Sequence, residues 1–273
     1  MMPFEAKLLT QRLSQALTYR ASTCGSIFTQ IFWTLLKVVI IESCYLSSSK
    51  AGEGNFKLAQ AVSYICVGQA LFRFIPLGGD ARFQEQIRTG DISYYLARPL
   101  DIYRYCYFQC CAKLIVDGIT RCIPLLLIAG ILGATNLSYG ITGVNWEGAT
   151  LALFIMAIFC AVFLSASIEA FLSMTSFLTI SGEGINALML PLALITTGVI
   201  LPVPLYPEWL QYLCYWSPFQ LILDFPARIL VGGLGVEFIL YGFIRSIIWI
   251  VVFFLLGRTL LKKGLTRFDV LGG

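Results

Sequence analysis

The sequence contains no histidine, and few of its residues carry a charge. The lack of histidine excludes the commonest general base, serine–histidine dyads and histidine-ligated metal sites. Only 12% of the 273 residues are charged, which is about half the share found in soluble domains. Because 58% of the residues are hydrophobic, this composition indicates a chain that folds in a lipid bilayer.

Two chemical motifs are also missing. The sequence has no Gly-x-x-x-x-Gly-Lys-Ser/Thr loop, which cradles phosphates in many ATPases, so we do not expect the chain to bind or hydrolyse ATP. None of the nine cysteines belongs to a Cys-x-x-Cys pair, and their odd number argues against a disulfide framework. We therefore expect no catalytic residue, no bound cofactor and no metal site.

Long apolar runs predict transmembrane helices. A helix needs roughly 20 mostly apolar residues to cross the hydrocarbon layer, and in lipid its backbone polar groups must be satisfied internally. We therefore predict an all-α integral membrane protein with a single transmembrane domain, residues 1–273. Its six predicted spans are Ser26–Leu46, Leu58–Leu77, Lys113–Leu132, Ala149–Phe171, Ile185–Leu201 and Glu237–Gly257.

The distribution of lysine and arginine sets the predicted orientation, because these residues concentrate in cytoplasmic loops. They precede the first span, cluster between the second and third spans, and follow the sixth. Both termini and the segment 78–112 are therefore predicted to be cytoplasmic. The loops 47–57, 133–148 and 202–236 are predicted to face outward.

The N-terminal segment, residues 1–22, contains an amphipathic pattern. Leu9, Leu13, Ala16 and Leu17 fall on one helical face, with polar residues opposite. This pattern predicts a helix in the inner membrane interface. A helix packed on a partner protein is a compatible alternative.

The cytoplasmic segment 78–112 begins with a predicted short helix. Phe83 and Ile87 share one face, and charged or amide side chains surround them. Gly90 can end this helix, and Asp91 can cap a second one. The alternative is a solvated loop, since charged runs usually form solvated surface.

The second of these helices must stop before a proline. Arg98 precedes Pro99, and a residue before proline disfavours the helical conformation. Asp101 can then cap a third helix that continues into the third span. The predicted result is a helix, a break and a rigid connection into the membrane.

The outward segment 202–236 is rich in proline. Pro202, Pro204 and Pro207 prevent a continuous helix. A short helix is predicted over Glu208–Trp216, with Pro207 as its first residue, and its aromatic side chains suit the membrane–water boundary. We expect a helical or re-entrant external cap here, and an aromatic belt on an ordinary loop is the alternative.

Charged residues also lie inside the predicted spans. Lys113, Asp117 and Arg121 are four residues apart, a spacing that allows pairing along one helix. Arg245 in the sixth span needs a partner, because a charge at the bilayer centre costs about 2.5–3.5 kcal/mol. The candidate partners are Glu42, Asp117 and Glu169. These charges form either a polar hinge between spans or a set of static pairs.

Three groups of residues occur in an order that resembles a known family. They are Ile87-Arg88, Gly90, Ile92, Leu96 and Arg98-Pro99; Pro191, Gly198, Pro202, Pro207-x-Trp209 and Pro218; and Arg267-Phe268 with Gly272-Gly273. With the six-span layout, they resemble the permease subunits of type-2 ABC exporters, in particular the small permeases related to drug and antibiotic exporters.

The resemblance implies a multi-pass protein of the cell membrane, inner or plasma, that transports but is not itself an enzyme. It would pair with a second permease, the same chain or a paralogue, and with cytoplasmic ABC ATPase subunits that bind ATP and Mg²⁺. Membrane lipids surround it, and no nucleic acid partner is expected. The residues that would contact the ATPase are Arg82, Phe83, Gln84, Glu85, Ile87, Arg88, Asp91 and Arg98.

In the wider family the second and fifth spans line the translocation path. On this chain the implied path residues are Ser63, Tyr64, Gln69, Phe72, Asn186, Met189, Thr196 and Thr197. The charged residues themselves predict a network inside the membrane, and its members are Lys113, Asp117, Arg121, Glu169 and Arg245.

Other functions remain open from the residues alone. An ion-driven secondary transporter needs intramembrane carboxylates, and Glu42, Asp117 and Glu169 are candidates. A lipid enzyme needs a cluster of catalytic polar groups, which the sequence does not suggest. A membrane scaffold would leave the charged segment 78–112 without a role.

Overall fold

The structure is a computed structural model that describes residues 10–14, 18, 20–47, 56–96, 101–134, 141–144, 146–177 and 183–271. Within these ranges all regular elements are helical, which confirms the predicted all-α fold. Residues 10–14 and 18 are helical. The further α-helices are α1 Arg20–Ser47, α2 Leu58–Leu71, α3 Ala81–Thr89, α4 Ser93–Leu96, α5 Ile102–Asp117, α6 Ile123–Ala134, α7 Gly148–Thr175, α8 Glu183–Thr196, α9 Glu208–Trp216, α10 Asp224–Val231 and α11 Val236–Leu271.

Four helical stretches are long and apolar enough to cross a membrane. They correspond to the predicted first, third, fourth and sixth spans and are Ala21–Ser47, Ile102–Gly133, Gly148–Thr175 and Val236–Thr266. The third span is longer than predicted, because its helix begins at Ile102 rather than at Lys113. A π-helical turn, Gly118–Cys122, joins α5 to α6 within it.

The second and fifth predicted spans are shorter helices. Both α2 and α8 contain 14 residues, fewer than the roughly 20 that cross a bilayer. A 3₁₀ turn, Phe72–Phe74, extends α2 until Ile75 becomes extended at φ −69° and ψ 123°. Pro76 explains this end, since it disfavours the helical conformation of its predecessor. The six-span count therefore stays a prediction.

The interior of the protein is built around α7 and α2. Helix α7 packs against α11, α5 and α10, and it buries Leu164, Ile168 and Leu172. Helix α2 is enclosed over most of its length, because every residue from 61 to 71 is buried. Movement of either helix must therefore displace several neighbours.

Apolar side chains cover the outside of α1 and α11. Phe28 and Phe32 on α1 and Val251 and Leu255 on α11 are at least 50% exposed. In water such a surface would be costly, at roughly 25 cal/mol per Å² of apolar area. Lipid or a second membrane subunit removes that cost.

The external segment folds in part as predicted. Helix α9 has the predicted bounds, but Pro207 is its N-cap with ψ 149° and not its first helical residue. Helix α10 was not predicted. Its signals were Pro226 close to its start and Gly232 just after its end, where φ is +72°.

Candidate functional site

The coupling segment, defined here as residues 78–96 and 101–112, begins with helix α3. The Asp80 carboxylate caps α3 by accepting hydrogen bonds from the backbone N–H groups of Arg82, at 3.0 Å, and Phe83, at 3.1 Å. An aspartate directly before an amphipathic run is a strong N-cap signal, so the sequence offered a means to find this residue. The predicted helix is confirmed.

Helix α3 has one buried and one exposed face. Phe83 and Ile87 are buried, as their spacing predicts. Arg82, Glu85 and Arg88 are exposed, and the last two form an ion pair at 2.9 Å. The charged face of α3 is therefore held in place by the apolar face on its opposite side, which packs against the core.

Helix α3 ends as predicted at Gly90, whose φ of +83° favours glycine. The Ile92 N–H then donates to the carbonyl of Gln86 at 3.0 Å, and the Ile92 side chain is buried. The Asp91 carboxylate accepts a hydrogen bond from the Thr89 hydroxyl at 3.0 Å. Arg98 lies outside the described residues.

The predicted third helix is α5. Asp101 caps it by accepting a hydrogen bond from the Arg104 N–H at 3.1 Å, which confirms the prediction. The same carboxylate pairs with Arg258 of α11 at 2.9 Å. This second contact joins the start of the third span to the end of the sixth and was not predicted.

Asp80 also joins the N-terminal segment to the coupling segment. Arg12 donates to the Asp80 carboxylate at 3.3 Å and to Gln109 Oε1 of α5 at 2.9 Å. These residues border a cavity of about 200 Å³ between the N-terminal segment and α3. The predicted amphipathic helix, residues 9–18, lies only partly within the described residues.

The start of the coupling segment is seated on the end of α7. The Asp80 N–H donates to Ser173 Oγ at 2.8 Å, and Ser173 Oγ donates in turn to the carbonyl of Glu169 at 2.8 Å. A Cβ added at Gly79 would come within 2.8 Å of the Ser173 backbone nitrogen. No larger residue fits there without a shift of the backbone.

Helix α8 reaches the same place through Asn186. Its Oδ1 accepts a hydrogen bond from the Gly79 N–H, and its Nδ2 donates to Gln84 Oε1, both at 3.4 Å. Gln84 also donates to the carbonyl of Leu172 of α7 at 3.4 Å. We call this set, residues 12, 79, 80, 84, 109, 173 and 186, the coupling junction.

The all-α membrane fold agrees with the result of a family comparison. The family model described as ABC-2 family transporter protein matches residues 31–272. The chain belongs to this family. Comparison with individual curated proteins gave no significant match.

As an ABC-2 family member, the chain is a multi-pass permease of the cell membrane. Family membership supports a transport component whose ATPase is a separate subunit and which associates with ABC ATPases. The resemblance inferred from the sequence is thereby confirmed.

The charges inside this ABC-2 permease pair differently from the predicted ladder. Asp117 does pair with Arg121, at 3.2 Å. Lys113 pairs instead with Glu169 of α7, at 2.7 Å, and Arg73 is the second partner of Asp117, at 3.3 Å. Glu169 is only 3% exposed. Its carboxylate would be costly to leave buried without a cation, and Lys113 supplies that cation.

Arg245 has none of the predicted partners, and that prediction is wrong. It donates to the carbonyl of Tyr215 and to Gln220 Oε1 at 2.7 Å. Its guanidinium also lies 3.8 Å from the centroid of the Tyr215 ring. The external segment therefore satisfies Arg245, and the three carboxylates proposed for it, Glu42, Asp117 and Glu169, do not.

Arg245 belongs to a second polar cluster around a buried aspartate. Gln220 Nε2 donates to Asp224 Oδ2 at 2.6 Å, and the Tyr64 hydroxyl donates to Asp224 Oδ1 at 2.7 Å. Asp224 is completely buried, and Arg228 lies 3.9 Å away. We call residues 64, 220, 224, 228 and 245 the outer cluster.

The electrostatics of Asp224 are set by burial. Burial raises the pKa of its carboxyl, whereas Arg228 and the hydrogen bonds from Tyr64 and Gln220 lower it, with a net rise. Sequence reasoning missed Asp224 because α10 itself was not predicted.

Most of the predicted path residues have side chains that contact other parts of the same protein. Ser63 accepts a hydrogen bond from the Gly143 N–H at 2.8 Å. Gln69 accepts one from Lys37 at 3.3 Å. Thr196 and Thr197 donate to carbonyls of their own helix. Phe72 and Met189 are partly buried. The path assignment stays a prediction.

Proposed function

We propose that this ABC-2 permease forms half of the translocation path of an ATP-driven exporter, and that α3 receives the movement of a separate ATPase subunit. The single observation that carries the proposal is the two-faced α3. Its charged face is exposed, and its apolar face and its start are fixed to the membrane helices.

The coupling junction supplies a route for that movement. Asp80 forms hydrogen bonds with the N-terminal segment and with α7. Gln84 donates a hydrogen bond to α7 and accepts one from Asn186 of α8. Such contacts cannot lengthen by much without breaking. A displacement of α3 would therefore shift these helices together.

The intramembrane carboxylates favour this proposal over an ion-driven transporter. Two of the three candidate carboxylates, Asp117 and Glu169, are each paired with a cation of the same chain, and only Glu42 is not in such a pair within the described residues. An ion-driven transporter needs carboxylates that are free to bind and release the coupling ion. ATP and Mg²⁺ would bind to the partner ATPase, and a second permease would complete the path.

The proposal is tested on the exposed face of α3. The chain is tagged, purified from its native membranes with its ATPase, and assayed for bound ATPase and for ATP hydrolysis. Glu85→Ala with Arg88→Ala should lower one or both, because the change removes the charged contact surface. Stability should change by less than about 1 kcal/mol, as expected for an exposed ion pair.

A matched control removes one acid and one base elsewhere. Lys57→Ala with Glu208→Ala alters two exposed residues on the predicted outer side and leaves the net charge equally unchanged. It should keep wild-type ATPase recovery and hydrolysis. If the α3 variant behaves like this control, α3 is not the ATPase contact.

A further inference from the structure

Two arginines share one carboxylate inside the membrane domain. Arg73 and Arg121 both pair with Asp117, at 3.3 and 3.2 Å. The group therefore keeps one net positive charge. Uncompensated charge within a span is costly and usually marks a binding site or path.

The two guanidinium groups also have hydrogen-bond donors to spare. Each carries five N–H donors, whereas one carboxylate offers about four acceptor sites. Within the described residues, the Nε atoms of both Arg73 and Arg121 are buried without a hydrogen-bond partner. The side chains are 35% and 17% exposed, so a ligand can reach their outer ends.

A further cation contacts α2 through Gln69. Lys37 of α1 donates to Gln69 Oε1 at 3.3 Å and to the carbonyl of Val199 at 2.6 Å. Neither acceptor neutralises its charge. Gln69 precedes Arg73 by four residues, at the junction of α2 with its 3₁₀ extension.

An exposed apolar surface continues from the arginines. The π-helical turn that follows Asp117 packs against α1 and α2. Beyond it, α1 and α6 meet at a shallow depression lined by Leu35, Leu125 and Ile128, whose volume of about 30 Å³ is that of one water molecule. On the outside of α6, Leu127 and Ile131 are more than 60% exposed. Leu125 lies one turn from Arg121. Positive charge and apolar surface are therefore adjacent, which is the arrangement that binding of an amphipathic anion requires.

We propose that Arg73 and Arg121 bind the phosphate of an anionic phospholipid, one chain of which packs along the exposed apolar surface of α1 and α6. Basic pockets between membrane helices hold lipid phosphates in this manner. The phosphate would accept hydrogen bonds from the guanidinium groups and balance the charge that Asp117 leaves. This site is separate from the coupling junction and does not depend on ATP.

Native mass spectrometry of the purified full chain measures this binding. Phosphatidylglycerol and phosphatidylcholine are titrated separately, and the dissociation constant of the first bound lipid is determined. Wild type should prefer phosphatidylglycerol. Arg121→Gln should weaken phosphatidylglycerol binding about fivefold, the effect of one basic residue. It should weaken phosphatidylcholine binding less, because choline already offsets the charge of that lipid's phosphate.

A variant of opposite sign separates binding from mere structure. Asp117→Asn removes the competing carboxylate and should strengthen phosphatidylglycerol binding. The control Lys57→Gln removes an exposed cation far along the chain and should bind like wild type. A purely structural role for the three residues would not produce opposite shifts.

The proposal is overturned if wild type shows no preference for phosphatidylglycerol, or if Arg121→Gln retains the wild-type preference. It is also overturned if dodecyl phosphate binds in an Arg121-dependent manner while phosphatidylglycerol does not. That result would assign the site to a single-chain anion and not to a phospholipid of the bilayer.

Discussion

The coupling junction and the outer cluster are both organised by a buried aspartate, but they treat it differently. Asp80 is a helix cap that also pairs with Arg12 and borders a cavity. Asp224 is sealed from solvent and held by a tyrosine, a glutamine and an arginine. The first arrangement joins an exposed helix to the core, and the second holds core helices together. We infer that the junction transmits movement and that the outer cluster resists it.

The largest loss of stability is expected at the outer cluster. Asp224→Ala leaves the buried Tyr64 hydroxyl and the buried amide of Gln220 without their acceptor, whereas Arg228 keeps the carbonyl of Gly233. Each unsatisfied buried donor costs about 1–3 kcal/mol, so the free energy of unfolding in mixed micelles should fall by about 2–6 kcal/mol. The exposed Glu237→Ala should have little effect, and equal losses in both variants would contradict the description of the outer cluster.

A smaller loss is expected from added bulk at the junction. Gly79→Ala places a methyl group against the Ser173 backbone, and overpacking of this kind costs about 1–3 kcal/mol. Because the clash displaces α3 from α7, ATP hydrolysis by the assembled complex should also fall. Gly148→Ala is the control, since nothing lies within 4 Å of its added Cβ. Normal hydrolysis in Gly79→Ala would show that this contact does not transmit.

Removal of one hydrogen bond sharpens the comparison further. Tyr64→Phe keeps the ring and deletes the donor to Asp224, and hydrogen bonds to charged groups contribute about 1.5–3 kcal/mol. We expect the lower end of that range, because Gln220 and Arg228 remain. Hydrolysis per folded complex should not change. If hydrolysis fell while stability stayed at the wild-type value, Tyr64 would belong to the residues that transmit movement and not to those that hold the fold.

The smallest change in stability is expected at Asp80. Asp80→Ala removes an N-cap worth about 1 kcal/mol, and Arg12 keeps its hydrogen bonds to Gln109. Asp80→Asn keeps the cap and removes the charge that pairs with Arg12. Both variants should lower the free energy of unfolding only slightly. Their ATP hydrolysis in the assembled complex should nevertheless differ clearly from that of wild type, because the contact that transmits movement is lost. If Asp80→Asn couples like wild type, the Arg12 pair plays no part in transmission.

The sequence predicts the parts of this protein that local rules determine. The spacing of Phe83 and Ile87 predicts α3, Gly90 predicts its end, and proline spacing predicts α9 at Glu208–Trp216. Apolar length identifies the four long spans. Each of these signals acts within a few residues or along one helix, so no knowledge of packing is needed.

Contacts between distant residues could not be predicted in the same way. Lys113 pairs with Glu169 and not with Asp117, and Arg245 binds the external segment and none of the three proposed carboxylates. These pairings depend on how each helix is rotated about its axis, which composition and spacing do not determine. The junction residues Arg12, Gly79 and Ser173 were missed for the same reason, since their partners lie far away in the chain.

The most direct test of the central claim is a cross-link from α3. A photoreactive benzophenone amino acid is placed at position 88 or, as the control, at the exposed position 208, and the assembled complex is irradiated in its native membranes. Position 88 should cross-link to the ATPase subunit, and position 208 should not. An ATPase that co-purifies with the permease but cross-links only from position 208, or from neither position, would contradict the account.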